Sequence, residues 1–262
     1  MITAGFDIGT RVCKICLVED ARLLASVCRL ADRDLDQSIG RWYKQMLAGL
    51  GLRRRQVKKA IATGYGANLV SQAVYELSEP ACLARAAYEL DPGITTLIDI
   101  GALFIRIVKI DENGFLEDSD VNEPCAAGSG KFLELVADAL DVPFDQISVI
   151  ARRSRKPYAI TSTCAVFAES EIISHINAGV ASEDILAGAL DALTNKVLAL
   201  LGKAGDIGSR LILSGGVAKI AALHERLSAA LGKDLIMPGM DPQLLPAYGA
   251  ALLAQGRARR RT

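Results

Sequence analysis

Asp7 and Asp99 each sit in an Asp-Ile-Gly triplet at the end of an apolar stretch, DIGT (7–10) and DIGA (99–102), and a third glycine-rich turn, SGGVAK (214–219), follows another. Glycine lets a backbone N–H approach an anion with no Cβ in the way, and consecutive N–H groups in a turn form a nest for phosphate oxygens. Carboxylates at the ends of facing strands can hold hydrated Mg²⁺, which makes Asp7 and Asp99 the candidate catalytic pair, while Thr10 can donate to a phosphate. Lys14 and Arg106 can balance charge nearby. Without a ligand, the same residues describe ordinary hairpins with exposed carboxylates. The Walker A signature is absent, which excludes P-loop chemistry as the source of nucleotide binding.

The elements that must position these residues are themselves repeated. FDIGTRVCKICLVEDARLL, from Phe6, aligns with IDIGALFIRIVKIDENGFL, from Ile98, at an offset of 92 residues. Both copies carry a cation at the matching place, and both run on as an apolar strand into an acidic turn, so each half is expected to open with a β-hairpin. Helical spacing is read at 35–50, 68–90, 129–140, 164–176 and 185–201, and a terminal helix at 248–257. On the helix from Cys164, the stripe Ala165, Ala168, Ile172 and Ile176 is expected to be buried. AIATG (60–64) and RLILSGG (210–216) read as short buried strands. Strands alternating with helices on two repeated halves predict a duplicated, two-lobed α/β fold with a ligand between the lobes. The first lobe is expected over 1–93, completed by the helix at 247–259, and the second over 94–246.

Composition removes whole classes of function. With 51% hydrophobic and 23% charged residues the chain can bury a large core, and 30 basic against 30 acidic residues give a net charge of +0. No global field draws it to nucleic acid. The first residues, MITAGFDIG, show no basic region followed by an apolar stretch, and no run approaches the ~20 apolar residues of a membrane helix, so a cytoplasmic protein is expected.

This pattern resembles the actin-like ATPase superfamily of sugar kinases, Hsp70 chaperones and actin, with its ribonuclease H-like duplicated lobes. By that resemblance Gly9, Thr10, Lys14, Gly101 and Arg106 would serve the phosphates of ATP. Gly215, Gly216 and Val217, with Gly249 in the YGAA turn (248–251), would lie near adenosine.

Six cysteines are present, at 13, 16, 28, 82, 125 and 164. Cys125 lies in NEPCAAGSGKFLE, a glycine-rich loop leading into a helix. Cys164 lies in ITSTCAVFAESE, directly after Ser162 and Thr163, both good N-cap residues. Sulfurs near helix N-termini are placed where backbone N–H groups favour a thiolate or an anionic cluster. A [4Fe–4S] cluster usually needs four thiolates and the compact C-x₂-C-x₂-C run is absent, but two cysteines from each of two chains would suffice, at a subunit interface. Cys13 and Cys16 point to opposite faces of a strand and are read as packing residues. Glu169 and Glu171 can couple the two sites or simply lie on an exposed helix face. His175 and His224 have no partner spacing for a metal and are read as structural.

The segments around Cys125 and Cys164, with the DIG hairpins, ATGYG (62–66) and SGGVA, resemble the family of 2-hydroxyacyl-CoA dehydratase activators and benzoyl-CoA reductase ATP-binding subunits, in order over nearly the whole chain. The resemblance implies a [4Fe–4S] cluster shared between two subunits through Cys125 and Cys164, and ATP hydrolysis that drives low-potential electrons, from a donor such as ferredoxin, into an acyl-CoA reductase or dehydratase. Activators typically read Asp-Ile-Gly-Gly-Gln-Asp at the second hairpin, whereas this chain reads DIGALF (99–104). That departure favours the smaller benzoyl-CoA reductase ATP-binding subunit, paired with a second related subunit as a heterodimer; the alternatives are a homodimeric dehydratase activator or a small-molecule kinase. It also makes Asp7 the better candidate for the essential carboxylate.

Overall fold

The structure, a computed structural model, describes residues 1–123, 129–160 and 165–259. They form two compact units. Met1–Ile94, Val108–Asp118 and Pro238–Thr262 make one; Thr95–Ile107 and Ser119–Met237 make the other.

The first unit is built on β1 (Ile2–Ile8), β2 (Val12–Glu19), β3 (Arg22–Leu30), β4 (Lys59–Thr63) and the two-residue β5 (Tyr75–Glu76), in the order β3-β2-β1-β4-β5. β1 pairs antiparallel with β2 and parallel with β4, and six of its seven residues are buried, as a central strand covered on both faces requires. The β2–β3 turn puts Asp20 and Ala21 at φ 46° and 67°, the left-handed pair of a tight hairpin whose twist matches its strands. Helices α1 (Leu35–Gly49) and α2 (Glu79–Leu90) come from this half of the sequence.

A second sheet repeats the plan. It contains β6 (Thr96–Ile100), β7 (Ile105–Ile110), β8 (Leu116–Val121), β9 (Leu211–Ser214) and β10 (Leu235–Ile236), in the order β10-β9-β6-β7-β8. Matching β6, β7, β8, β9 and β10 to β1, β2, β3, β4 and β5 makes the two orders the same. Between β8 and β9 run α3 (Gly130–Ala139), α4 (Ile147–Ala151), α5 (Ala165–Asn177) and α6 (Ser182–Ala204); α7 (Ala221–Leu231) joins β9 to β10, and α8 (Leu245–Arg259) returns to the first unit.

Each unit has its own core. Phe6, Ile15, Leu17 and Ile39 fill the first, where Phe6 meets Tyr43 edge-on at 5.2 Å. Phe132, Leu133, Ile172, Leu190 and Leu193 fill the second. Each such side chain contributes about 1.5–3 kcal/mol by leaving water.

Three expectations need correction. Beyond a single 3₁₀ turn at Ala67–Leu69, residues 70–78 are not helical: Val74 and Leu77 donate backbone N–H groups to Ala60 and Ala62 of β4, and that pairing draws the stretch into a sheet edge. A helix begins only at Glu79, where Pro80 suits the first turn. The stripe on α5 is buried at Ala168 and Ile172 but open at Ile176, which is 36% exposed. Finally, α6 is long and apolar enough to cross a membrane, with a window of mean hydropathy 1.5, contrary to what the apolar runs alone suggest. Its apolar side chains, from Ile185 to Val197, are spent on the second unit's core.

Candidate functional site

The first DIG turn closes with Gly9 N–H donating to Val12 O (3.2 Å), and the second closes with Gly101 N–H donating to Phe104 O (2.8 Å). Across the β1–β2 ladder Asp7 faces Lys14, whose Nζ lies 2.7 Å from Oδ2. Asp99 meets Arg106, Nη1 to Oδ2, at 3.6 Å. Neither carboxylate is exposed, so the reading of ordinary hairpins with solvated acids is wrong: Asp7 is 0% and Asp99 3% exposed. Burying a charge is costly unless a partner stabilises it, and each aspartate has its cation in the adjacent strand.

The returning strands finish each turn. Thr63 at the end of β4 stands opposite Asp7, and Ser214 at the end of β9 stands opposite Asp99. A left-handed glycine follows in both cases, Gly64 at φ 88° and Gly215 at φ 89°. A Cβ on Gly64 would lie 2.4 Å from Asp7 Oδ1 and 2.7 Å from Ile8 O; one on Gly215 would lie 2.3 Å from Ile100 O. Glycine is therefore required at both by conformation and by space.

Here the two copies part. Ser214 Oγ donates to Asp99 Oδ1 at 3.0 Å, whereas Thr63 Oγ1 donates away from the site, to Leu77 O at 2.8 Å. Asp7 Oδ1 is left buried with no hydrogen-bond partner among the described residues. An unpaired buried acceptor costs about 1–3 kcal/mol, a cost that a water or cation at the turn would remove. Hydrated Mg²⁺ fits this donor set, because Asp7 offers a hard anionic oxygen that the fold leaves unused.

The remaining predicted residues divide. Thr10 is exposed in the first turn, and Gly9 lies close to Lys14, a Cβ there falling 3.2 Å from Nζ. Arg106 stacks over Phe104, 4.8 Å from the ring centroid, which steadies the second turn. Gly216 leads into a single 3₁₀ turn, Val217–Lys219, and Val217 is buried. Gly249 is not in a turn at all. YGAA lies inside α8, where a Cβ on Gly249 would sit 1.8 Å from Cys82 O on α2. Close helix packing is the physical reason for that glycine, and Gly5 on β1 does the same for the other side of α8, a Cβ there falling 1.9 Å from Ala247 O.

Cys125 and Cys164 lie outside the described residues. Among the described residues no three His, Cys, Asp or Glu side chains gather as a metal site. Cys13, Cys16 and Cys82 are buried, in keeping with a packing role. Burial pushes the Cys13 thiol up to about 11 and the Cys82 thiol up to about 12, and raises Cys16 as well. Such thiols are poor sources of thiolate. Glu169 is exposed and Glu171 half-buried. The ring of His175 lies 4.0 Å from that of Tyr158, and His224 Nε2 is 2.8 Å from Leu235 O.

The second turn carries a further set of contacts that sequence reasoning missed. Ser129, at the N-cap of α3, donates Oγ–H to Ala102 O (2.6 Å), and the Gly130 and Lys131 N–H groups donate to Gly101 O and Ala102 O, both at 2.9 Å. The residue before the Gly of the first helical turn is a serine, a start signal, but nothing in its spacing tells that it caps a distant turn rather than its own helix.

Two sheets with one strand order, each with an aspartate near the end of its central strand beside a glycine turn, define the two-lobed actin-like ATPase fold. The chain belongs to the BadF/BadG/BcrA/BcrD ATPase family, which it matches over residues 4–254. It is 32% identical over 259 residues to the 2-hydroxyisocaproyl-CoA dehydratase activator of Clostridioides difficile, covering 99% of this chain and 97% of the relative. A solved structure of the activator of the 2-hydroxyisocaproyl-CoA dehydratase from Clostridium difficile, with bound ADPNP, matches with a TM-score of 0.91 at 32% identity, over 100% of this chain and 97% of that one. A benzoyl-CoA reductase subunit of Thauera aromatica is 31% identical over 260 residues, 96% of this chain and 92% of the relative.

Proposed function

We propose that this protein is an ATP-hydrolysing activator of a 2-hydroxyacyl-CoA dehydratase, passing low-potential electrons to it through a [4Fe–4S] cluster held by Cys125 and Cys164 of two identical chains. The observation that carries this reading is the match to dehydratase activators along nearly the full length of both chains. The pair of cysteines also gives the reading a use that a small-molecule kinase lacks.

The chain's own residues then divide the work. Lys14 holds the Asp7 carboxylate by one oxygen, leaving Oδ1 as the acceptor for the hydration shell of Mg²⁺ at the ATP phosphates. Bound there, Mg²⁺ would neutralise charge developing on the phosphates. Thr10 in the first turn supplies a donor for a phosphate oxygen, while Gly9 and Gly101, whose N–H groups close their own turns, leave the two turns free of a Cβ where the phosphates approach. Lys14 and Arg106 lower the cost of bringing polyanion and carboxylates together. Gly215, Gly216 and Val217 serve the adenosine side. The cluster, when bound, would supply the one-electron chemistry. Its assignment to Cys125 and Cys164 rests on the family resemblance and on the high thiol pKa values at Cys13, Cys16 and Cys82.

A benzoyl-CoA reductase-type heterodimer is the second reading, favoured by DIGALF and supported by the match to the Thauera aromatica reductase subunit. It loses weight because the contacts of the second turn run mainly through main-chain carbonyls of Gly101, Ala102 and Leu103, which a change of side chain leaves in place.

Anaerobic purification decides between them. The expected product is a homodimer with about four iron and four acid-labile sulfide per two chains that activates a dehydratase in the presence of ATP. Cys125→Ser and Cys164→Ser should each lose iron while keeping nucleotide affinity; full iron content in both would remove the ligand assignment. Co-purification with a second, non-identical ATPase subunit would move the conclusion to the reductase reading.

A further inference from the structure

Tyr43 Oη and Gln72 Oε1 are buried without a hydrogen-bond partner among the described residues, and the two side chains line one pocket of the first unit. Its volume is about 510 Å³, inside the span of about 300–1,000 Å³ that small-molecule sites take. Helix α1 gives one side, because Tyr43, Lys44, Leu47 and Ala48 fall on one helical face. The end of that helix completes the apolar part. Leu52 donates its N–H to Leu47 O (2.9 Å), and Gly51, at φ 66°, donates to Ala48 O (3.0 Å), the paired bonds that turn a chain back onto its helix and bring Leu52 beside Leu47. Arg54 follows in a 3₁₀ turn, Arg54–Gln56, secured by Arg53 N–H on Gln56 Oε1 (2.7 Å). Its guanidinium stands 5.7 Å from the centroid of the Tyr43 ring, and its Nη2 donates to Gln72 O (3.0 Å). Both cations of the pocket, Lys44 and Arg54, are exposed, and none of the described residues lining it is acidic.

We infer that this pocket, which shares no residue with the phosphate turns, is a binding site for a small aliphatic carboxylate that carries a hydroxyl group. Each part of such a ligand answers a group in the pocket. The aliphatic part covers Leu47, Ala48 and Leu52. The carboxylate takes Arg54 and Lys44. Arg54 now bonds a neutral carbonyl, and an ionised acceptor makes the stronger bond, so the exposed guanidinium turns from Gln72 O to the ligand. Burial pushes the Tyr43 phenol up against the pull of Arg54, which keeps it a donor at neutral pH. Tyr43 Oη–H then donates to the ligand, and the ligand hydroxyl donates to Gln72 Oε1. Both buried atoms are paired in that state, which removes the desolvation cost of leaving them unmade. Inorganic phosphate would meet the two cations but offers nothing to the apolar side.

The site stands or falls without the ATP reading and without a cluster. Its test is calorimetric titration of the full chain as purified, with 2-hydroxyisocaproate as the probe. Binding with a Kd of about 1 mM or tighter is expected. Isocaproate, which lacks the hydroxyl, should bind about threefold or more weakly, and the uncharged isocaproamide more than about tenfold more weakly. Arg54→Ala should weaken the probe by about tenfold or more, and Tyr43→Phe, which keeps the ring and removes the hydroxyl, by about threefold or more. Arg54 is exposed, so its variant reads the site in a chain with an intact core even where Tyr43→Phe disturbs α1. No binding of 2-hydroxyisocaproate by the unaltered chain, or binding that both variants leave unchanged, would overturn the site. Equal affinity for isocaproamide would overturn the carboxylate, as would tighter binding of inorganic phosphate that Arg54→Ala abolishes.

Discussion

The two aspartate turns are copies in backbone and opposites in chemistry. Each has an aspartate at the end of its first strand, a cation across the hairpin, the same closing hydrogen bond, and a left-handed glycine behind it. In the second copy Ser214 and Arg106 occupy the Asp99 carboxylate, and the turn is gripped from outside by Asn122 and α3. In the first copy Thr63 turns its hydroxyl away, and Asp7 keeps a buried oxygen with nothing bonded to it among the described residues. Duplication supplies two turns on one backbone plan; a serine that bonds its aspartate, against a threonine whose hydroxyl is aimed elsewhere, is what distinguishes the two carboxylates.

The sharpest way to break this contrast is Gly64→Ala. The new methyl would press on Asp7 Oδ1 at 2.4 Å in a backbone conformation alanine avoids. We expect a loss of about 2–3 kcal/mol of stability in chemical denaturation and a fall in ATP hydrolysis of more than about tenfold. Survival of near-normal hydrolysis would mean that the Asp7 oxygen is not used. Ser214→Ala probes the other copy: it removes one hydrogen bond to Asp99, and unfolding should cost about 1 kcal/mol less than in the parent, while phosphate release changes by less than about threefold. A large kinetic effect there would erase the distinction between the copies.

The smallest effect expected is on pH. The three described cysteines with raised thiol pKa all belong to the first unit. Above the ordinary thiol value of 9.0 the unfolded chain releases protons that the folded chain retains, so stability falls as pH rises. Thermal scans between about pH 8 and 10 should show the first unit losing stability before the second; the reverse order would contradict the burial of those thiols.

Much of this is legible in the sequence, for a simple reason. The hairpins repeat at one fixed offset, so Asp7 with Asp99, and Lys14 with Arg106, align on paper as they do in space. The returning strands are not legible as part of the repeat. Helices α3 to α6 separate β8 from β9, while α1 alone separates β3 from β4, so Thr63 and Ser214 fall at no shared offset. Parallel pairing, a non-local event, is what sets them opposite the two aspartates. Gly249 deceives because a Tyr-Gly-Ala-Ala string signals a turn only when no neighbour presses close; here the Cys82 carbonyl does. Asn122 gives no signal at all, since a polar residue after a strand reads as loop until its partners are known. DIGALF points to the reductase, whereas the matches back the dehydratase-activator alternative better; side-chain identity weighs little at a turn whose contacts are largely main-chain.

The central claim is that Asp7 carries the ATP chemistry while Asp99 holds the second turn in place. Phosphate release measured side by side for Asp7→Asn and Asp99→Asn tests it most directly. The account predicts a loss of about 10²–10³ for Asp7→Asn and about tenfold or less for Asp99→Asn, with both variants folded. Equal losses, or the larger loss at Asp99, would contradict it.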